Sequence, residues 1–189
     1  MGDLIFVTGG SRSGKSAFAE RLVGRLTEPW DTPVVYVATL EPLDSEMTAR
    51  IERHAARRLP EWRTVEAPHA LAMAIVAAPC TDALLVDSLS GWVSNRLLAL
   101  GDDTPTLDAI ASLEAALRAE VTTIVARAAE REAPTVIVSD EVGSGLVPEY
   151  ALGRAYRDVL SAANEAVSRA ANDAWLVVAG RALALPPPA

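Results

Sequence analysis

Cysteine is almost absent. Cys80 stands alone in 189 residues, so no intramolecular disulfide can form and nothing points to an oxidising compartment. Positive charge is also scarce: 17 Lys and Arg against 25 Asp and Glu give a formal net charge of -8. That balance argues against nucleic acid as a partner, because phosphate-backbone binding draws on clustered Lys and Arg. Long hydrophobic runs are missing as well. The run from Leu71 to Ala78 is far short of the ~20 residues a membrane-spanning helix needs. Met1-Gly2-Asp3 leads directly into an apolar strand-like segment, without the basic stretch, apolar core and cleavage site of a secretory leader. Internal repeats and low-complexity linkers are absent, and the breaks Glu28-Pro29-Trp30-Asp31-Thr32-Pro33 and Gly101-Asp102-Asp103-Thr104-Pro105 have ordinary loop lengths. The expectation is a cytoplasmic protein of one domain, residues 1–189, without a membrane span. Half of its residues are hydrophobic, enough for a well-filled core. Leu185-Pro186-Pro187-Pro188-Ala189 can continue neither a helix nor a central strand and reads as a frayed tail.

What is present alternates. Short apolar runs recur at Leu4–Val7, Val34–Ala38, Ala83–Val86, Thr135–Val138 and Trp175–Ala179, each reading as a strand buried on both faces. Between them lie helix-like segments at Ser16–Leu26, Ser45–Arg58, Ala70–Ala78, Leu89–Leu100, Leu107–Glu132 and Ala151–Ala171. The clearest is Leu107–Glu132, where Ile110, Leu113, Leu117, Val121, Ile124, Val125 and Ala128 recur at helical spacing. Strand then helix, repeated, predicts an α/β fold: a mainly parallel sheet with helices on both faces, binding ligands beyond the carboxyl ends of its strands.

The first such end carries Gly9-Gly10-Ser11-Arg12-Ser13-Gly14-Lys15-Ser16, which fits the phosphate-loop pattern G-x-x-x-x-G-K-[ST]. Glycine lets the backbone turn its N–H groups inward, and the following helix adds the positive end of its dipole. Lys15 can then reach the terminal phosphates of a nucleotide while the Ser16 hydroxyl ligates Mg²⁺. The plainer alternative is a Gly/Ser-rich turn that caps a helix. A nucleotide site also needs an acidic residue at a neighbouring strand end, and two places qualify: Asp87, and the pair Asp140-Glu141. The plainer alternative is that these residues cap the next helix or turn, a reading weaker for Asp87 than for Asp140 and Glu141.

Asp44, a good helix cap, opens a segment in which Met47 and Ile51 share a face with His54. Arg50 precedes that histidine by four residues, and Arg57 and Arg58 follow it by three and four. Two readings stay open. One is a solvated helix face with Glu46 and Glu52 as ion-pair partners. The other is a neutral imidazole poised to attack phosphorus while guanidinium groups hold the oxygens. The other histidine, His69, reads as a helix-end residue.

Taken together, these stretches resemble the bifunctional adenosylcobinamide kinase / adenosylcobinamide-phosphate guanylyltransferase family of cobalamin biosynthesis, nearly end to end. The likeness runs through Val7 to Ser16, Tyr36-Val37-Ala38-Thr39, Asp44 to His54, Trp62-Arg63-Thr64-Val65-Glu66, Leu85-Val86-Asp87-Ser88-Leu89 and Val93-Ser94-Asn95. It continues in Glu141 to Pro148, Tyr156-Arg157-Asp158, Asn164 and Trp175 to Gly180. The resemblance implies a RecA-like P-loop NTPase fold, a homotrimer and two transferase reactions. In the first, a nucleoside triphosphate, ATP or GTP, phosphorylates adenosylcobinamide. In the second, GTP gives GMP to a histidine, and adenosylcobinamide phosphate collects it as adenosylcobinamide-GDP. Aligned to the motif, the histidine is His54. The nucleotide-binding residues implied are Gly9 to Ser16, Thr39, Arg57, Arg58, Glu66 and Asp87, with Lys15 catalytic and Ser16 and Asp87 on Mg²⁺. Asp140 departs from the pattern, standing where asparagine is often seen. Guanine preference rests on the resemblance alone, since no N-K-x-D element is present. The rival readings are an ordinary phosphate-loop small-molecule kinase and a non-enzymatic, nucleotide-switched module of RecA type.

Overall fold

The computed structural model describes residues 2–101 and 105–188, apart from the side chains of Glu46 and Arg50. Arg50 as a neighbour of His54, Glu46 as an ion-pair partner, the loop residues Asp102, Asp103 and Thr104, and the terminal Met1 and Ala189 therefore lie outside the described residues.

In chain order the elements are β1 (Leu4–Gly9), α1 (Lys15–Thr27), a 3-10 turn (Glu28–Trp30), β2 (Val34–Ala38), α2 (Ser45–Ala55) and β3 (Arg63–Glu66). Then come α3 (Leu71–Ala77), β4 (Ala83–Asp87), α4 (Leu89–Leu98), α5 (Leu107–Glu130), β5 (Thr135–Asp140), α6 (Ala151–Ala170), β6 (Asp173–Val178) and β7 (Arg181–Ala184). The strands form one sheet in the order β3-β2-β4-β5-β1-β6-β7. Every pairing is parallel except that of β6 with β7.

Side-chain alternation along the inner strands explains why they read as unbroken apolar runs. Leu4, Phe6, Val35, Val37, Leu84, Val86 and Ile137 enter a core with Leu71, Ile75, Trp92, Leu117, Ile124 and Leu160 from α3 to α6. Their neighbours Ile5, Val7, Tyr36, Leu85, Val136 and Val138 enter a second core with Ala19, Leu22 and Val23 of α1. Asp87 and Asp140 lie two residues beyond Leu85 and Val138, so alternation puts both carboxylates on the α1 face with Tyr36. The topology thus assembles one set of polar side chains at the carboxyl ends of β2, β4 and β5.

Several sequence expectations need correction. The helix predicted over Ser45–Arg58 stops at Ala55, with Arg57 and Arg58 donating backbone N–H bonds to His54 and Ala55 in a tightening turn. Leu59-Pro60 follows, and the residue before a proline is steered away from helix. The strand predicted at Trp175–Ala179 is β6. Only Val177 in it is fully buried, because β6 sits near the sheet edge with the short β7 outside it. β3 and β7 carried no apolar run, since edge strands expose much of their length. The tail expected from Leu185 was placed one residue too early: the Leu185 N–H still pairs with the Ala174 carbonyl, and residues 186–188 form no regular element.

One buried cation matters for stability. Arg131, 1% exposed at the end of α5, donates to the carbonyl oxygens of Ala78, Pro79 and Asp82, closing the turn that leads into β4. Replacing it with methionine keeps most of the volume but strands three acceptors. We expect Arg131→Met to cost about 3–5 kcal/mol of folding stability, read as a lower urea midpoint with an unchanged slope.

Candidate active site

The Gly9–Ser16 loop joins β1 to α1, the context its sequence pattern requires. Two glycines in it are dictated by geometry. Gly14 sits at φ +95° as the residue before α1, a conformation L side chains resist. A Cβ on Gly9 would lie 2.3 Å from the Val177 carbonyl oxygen, so only glycine lets the loop rest against β6. The β6–β7 hairpin supports the loop a second time. Its two turn residues, Ala179 and Gly180, have positive φ, as a tight hairpin demands, and the Gly180 N–H bonds to the Ser13 carbonyl at 2.8 Å.

The helix starts differ in how they are capped, α1 sharing with α3 and α6 the lack of a side-chain cap. Asp44, Ser88 and Thr106 each accept a backbone N–H at the start of α2, α4 and α5. No side chain does so for α1. The first turn of α1, Lys15 to Ala17, lines a cleft, and an uncapped helix start is a place where an anion can bind.

That cleft measures about 370 Å³ and is lined by residues 11–17 of the loop together with Arg53, His54 and Arg57. Ser13 is one of its wall residues, and its buried hydroxyl has no hydrogen-bond partner among the described residues. The histidine and the phosphate loop therefore share one opening.

What ties them is Asp87. Its Oδ1 accepts from the Ser16 hydroxyl at 3.2 Å, and its Oδ2 accepts from the Tyr36 hydroxyl at 2.5 Å and lies 3.2 Å from His54 Nδ1. Burial by itself would push this carboxyl up, but the bonds from His54, Tyr36 and Ser16 outweigh it and hold the group below its ordinary value. Burial, with the Asp87 charge beside it, drives the Tyr36 hydroxyl far upward, so it remains a donor. Nearby, burial raises the Glu20 carboxyl while Arg57, bonded to it at 3.3 Å, pulls it partly back.

Lys15 is buried. Its ammonium donates to the Gly10 carbonyl at 3.2 Å and pairs with Asp140 Oδ1 at 2.5 Å, while Ser90 donates to Asp140 Oδ2 at 2.7 Å. Asp140 thus occupies the lysine's free side, where a phosphate oxygen would compete with it. Asp140→Asn keeps the size and an acceptor for Ser90 but removes a negative charge from beside the triphosphate. We expect GTP to bind about tenfold more tightly to that variant, an effect that shrinks as salt is raised, measured by calorimetry.

The other sequence-predicted residues fall in different places. Thr39 is fully buried and its hydroxyl brackets Ser88, accepting from the backbone N–H and donating to the carbonyl; the Asp87–Ser88 peptide it holds is cis. Arg58 stacks its guanidinium 3.7 Å from the Tyr36 ring centre and donates to Thr64. Glu66 is exposed at the end of β3, and neither it, Thr39 nor Arg58 lines the cleft. Glu141 accepts from the Gly143 N–H in the loop after β5. His69 precedes α3, as its helix-end reading anticipated, and its imidazole lies 3.3 Å from Glu41. Sequence reasoning missed Arg53, Tyr36 and Glu20. Tyr36 left a signal: it is a polar-tipped aromatic in an otherwise aliphatic strand, on the face that alternation gives to Asp87.

Comparison with known proteins shows the family of the chain. The family model for cobinamide kinase / cobinamide phosphate guanyltransferase matches residues 5–185. The bifunctional adenosylcobalamin biosynthesis protein CobU of Salmonella typhimurium is 41% identical over 181 residues, covering 94% of this chain and 96% of that protein. CobU of Escherichia coli is 40% identical over 179 residues, with 94% and 96% covered, and CobP of Pseudomonas aeruginosa is 37% identical over 181, with 95% and 94% covered. Matched from its first strand to its last, the chain belongs to the cobinamide kinase / cobinamide phosphate guanyltransferase family.

Proposed function

We propose that this single cleft carries out both reactions on adenosylcobinamide. In the kinase step, the γ-phosphoryl group of ATP or GTP passes to the aminopropanol hydroxyl. In the second step, GTP gives GMP to His54 with loss of pyrophosphate, and the phosphate of adenosylcobinamide phosphate displaces the imidazole to give adenosylcobinamide-GDP. The observation that carries this reading is the shared wall: His54 opens onto the same cleft as the loop from Ser11 to Ser16.

The residues divide the work. Loop N–H groups, with Lys15 released from Asp140, hold the terminal phosphates in both steps. Arg53 and Arg57, which line the same cleft, supply guanidinium forks for phosphate oxygens where charge develops. Oxygen donors at Ser16 and Asp87 Oδ1 suit Mg²⁺, which binds through one or two protein ligands and the substrate's own phosphates. When bound, the ion neutralises charge on those phosphates. His54 splits a difficult transfer into two through a phosphoramidate.

We propose further that the chain is one catalytic domain, works in the cytoplasm and assembles as a homotrimer. No described helix is long and apolar enough to cross a membrane. Sedimentation velocity measures the assembly directly.

Intact mass after incubation with GTP and Mg²⁺ tests the chemistry: one added GMP, lost again in mild acid or on addition of adenosylcobinamide phosphate. Nucleotide binding without added mass and without corrinoid turnover favours the nucleotide-switched module instead.

A further inference from the structure

The imidazole of His54 has two nitrogens, and the two-step transfer does not say which one takes GMP. A neutral imidazole carries one N–H and one lone pair. Asp87 Oδ2, 3.2 Å from Nδ1, already accepts from the Tyr36 hydroxyl, and an ionised carboxylate only accepts. In the neutral ring the proton then sits on Nδ1, facing the acceptor, and the lone pair is on Nε2. Asp87 uses its two oxygens for different tasks: Oδ1 meets Ser16 on the phosphate-loop side, and Oδ2 meets His54 and Tyr36. Tyr36 is itself fixed, 1% exposed in the middle of β2 with the Arg58 guanidinium against its ring.

Resting on the two-step reading above, we infer that Tyr36 is a positioning residue which, through Asp87 Oδ2, holds His54 in the Nδ1–H tautomer so that Nε2 is the atom that receives GMP. The Nε2 lone pair forms the bond to the α-phosphorus as the bond to the β-phosphate oxygen breaks, and pyrophosphate leaves with that electron pair. The Nδ1 proton stays on the ring, shared with Asp87 Oδ2. When a phosphate oxygen of the cobinamide substrate attacks the α-phosphorus, the P–N bond breaks and its electrons return to Nε2. Without the Tyr36 hydroxyl, Oδ2 has one donor fewer, and the carboxylate is free to turn toward Ser16 and the cation side. The imidazole then loses its fixed partner.

The chain has two histidines, so protein labelled with ¹⁵N-histidine gives two ring patterns, and a His69→Gln sample identifies that of His54. In the wild-type protein we expect the Nδ1–H tautomer before GTP and a ¹⁵N–³¹P coupling at Nε2 afterwards. Attachment at Nδ1 overturns the inference and leaves the two-step transfer standing. Absence of any phosphorus on the His54 ring overturns both. Tyr36→Phe keeps the ring and its stacking on Arg58, so folding is not at issue. In that variant we expect mixed tautomers and single-turnover guanylylation slowed about tenfold, with the KM for GTP changed by no more than about twofold. An unchanged tautomer with an unchanged rate removes Tyr36 from the mechanism.

Discussion

His54→Ala takes up no GMP from α-labelled GTP, and its guanylyl transfer falls by about 10⁴-fold or more, the scale on which enzymes lose activity when a covalent nucleophile is deleted. Phosphorylation of adenosylcobinamide in the same variant stays within about fivefold of the parent. The two outcomes diverge for a geometric reason. Among the described residues the hydrogen bond of the His54 ring goes to Asp87, whereas Lys15 and the Ser16 hydroxyl have partners of their own at Gly10 and Asp87. The substitution shortens a mostly buried side chain in the last turn of α2, so a folding control by circular dichroism accompanies the assays. Both activities are followed in parallel, one as labelled protein and product, the other as corrinoid phosphate. Label that persists in the variant assigns the nucleophile elsewhere. A kinase loss as deep as the transfer loss makes the histidine part of the cradle itself.

Lys15→Ala, by contrast, lowers both reactions together, by about 10³-fold in kcat/KM. Two effects combine. The ammonium that meets the terminal phosphates is gone, and Asp140, whose carboxylate it had paired, now faces the triphosphate uncompensated. Since that second effect is repulsion, Asp140→Asn introduced into the Lys15→Ala background recovers part of the loss. The two substitutions are then non-additive, as expected for side chains in contact. Calorimetric titration with GTP and the two rate assays provide the comparison. Guanylylation at full rate in Lys15→Ala contradicts a cradle common to both reactions.

How much of this was legible in advance depended on how local each signal was. The phosphate loop was readable because pattern, strand and helix are contiguous in sequence. Inner strands were readable because burial on two faces writes an apolar run. Asp87 could be named as a strand-end acid but not told from a cap, since the distinction depends on Ser16, Tyr36 and His54, which approach it from three other elements. Arg58 shows the opposite case. Spacing on an ideal helix put it beside His54, yet α2 ends at Ala55, and the turn that follows carries the guanidinium over Tyr36 instead. Arg53, adjacent to the histidine in sequence, was passed over because successive helical residues point apart. At the final turn of a helix a long side chain still reaches the same cleft. The resemblance supplied what no short window could: which histidine, and which substrate.

The hairpin of β6 and β7 has a temporal consequence. β1 leaves the ribosome more than a hundred residues ahead of both of its sheet neighbours, β5 and β6. Its loop gains the Ser13 carbonyl contact only once Gly180 has been made. During synthesis the loop is thus translated well before the strands that complete it, and a nascent chain arrested ahead of the β6–β7 hairpin presents no finished cleft.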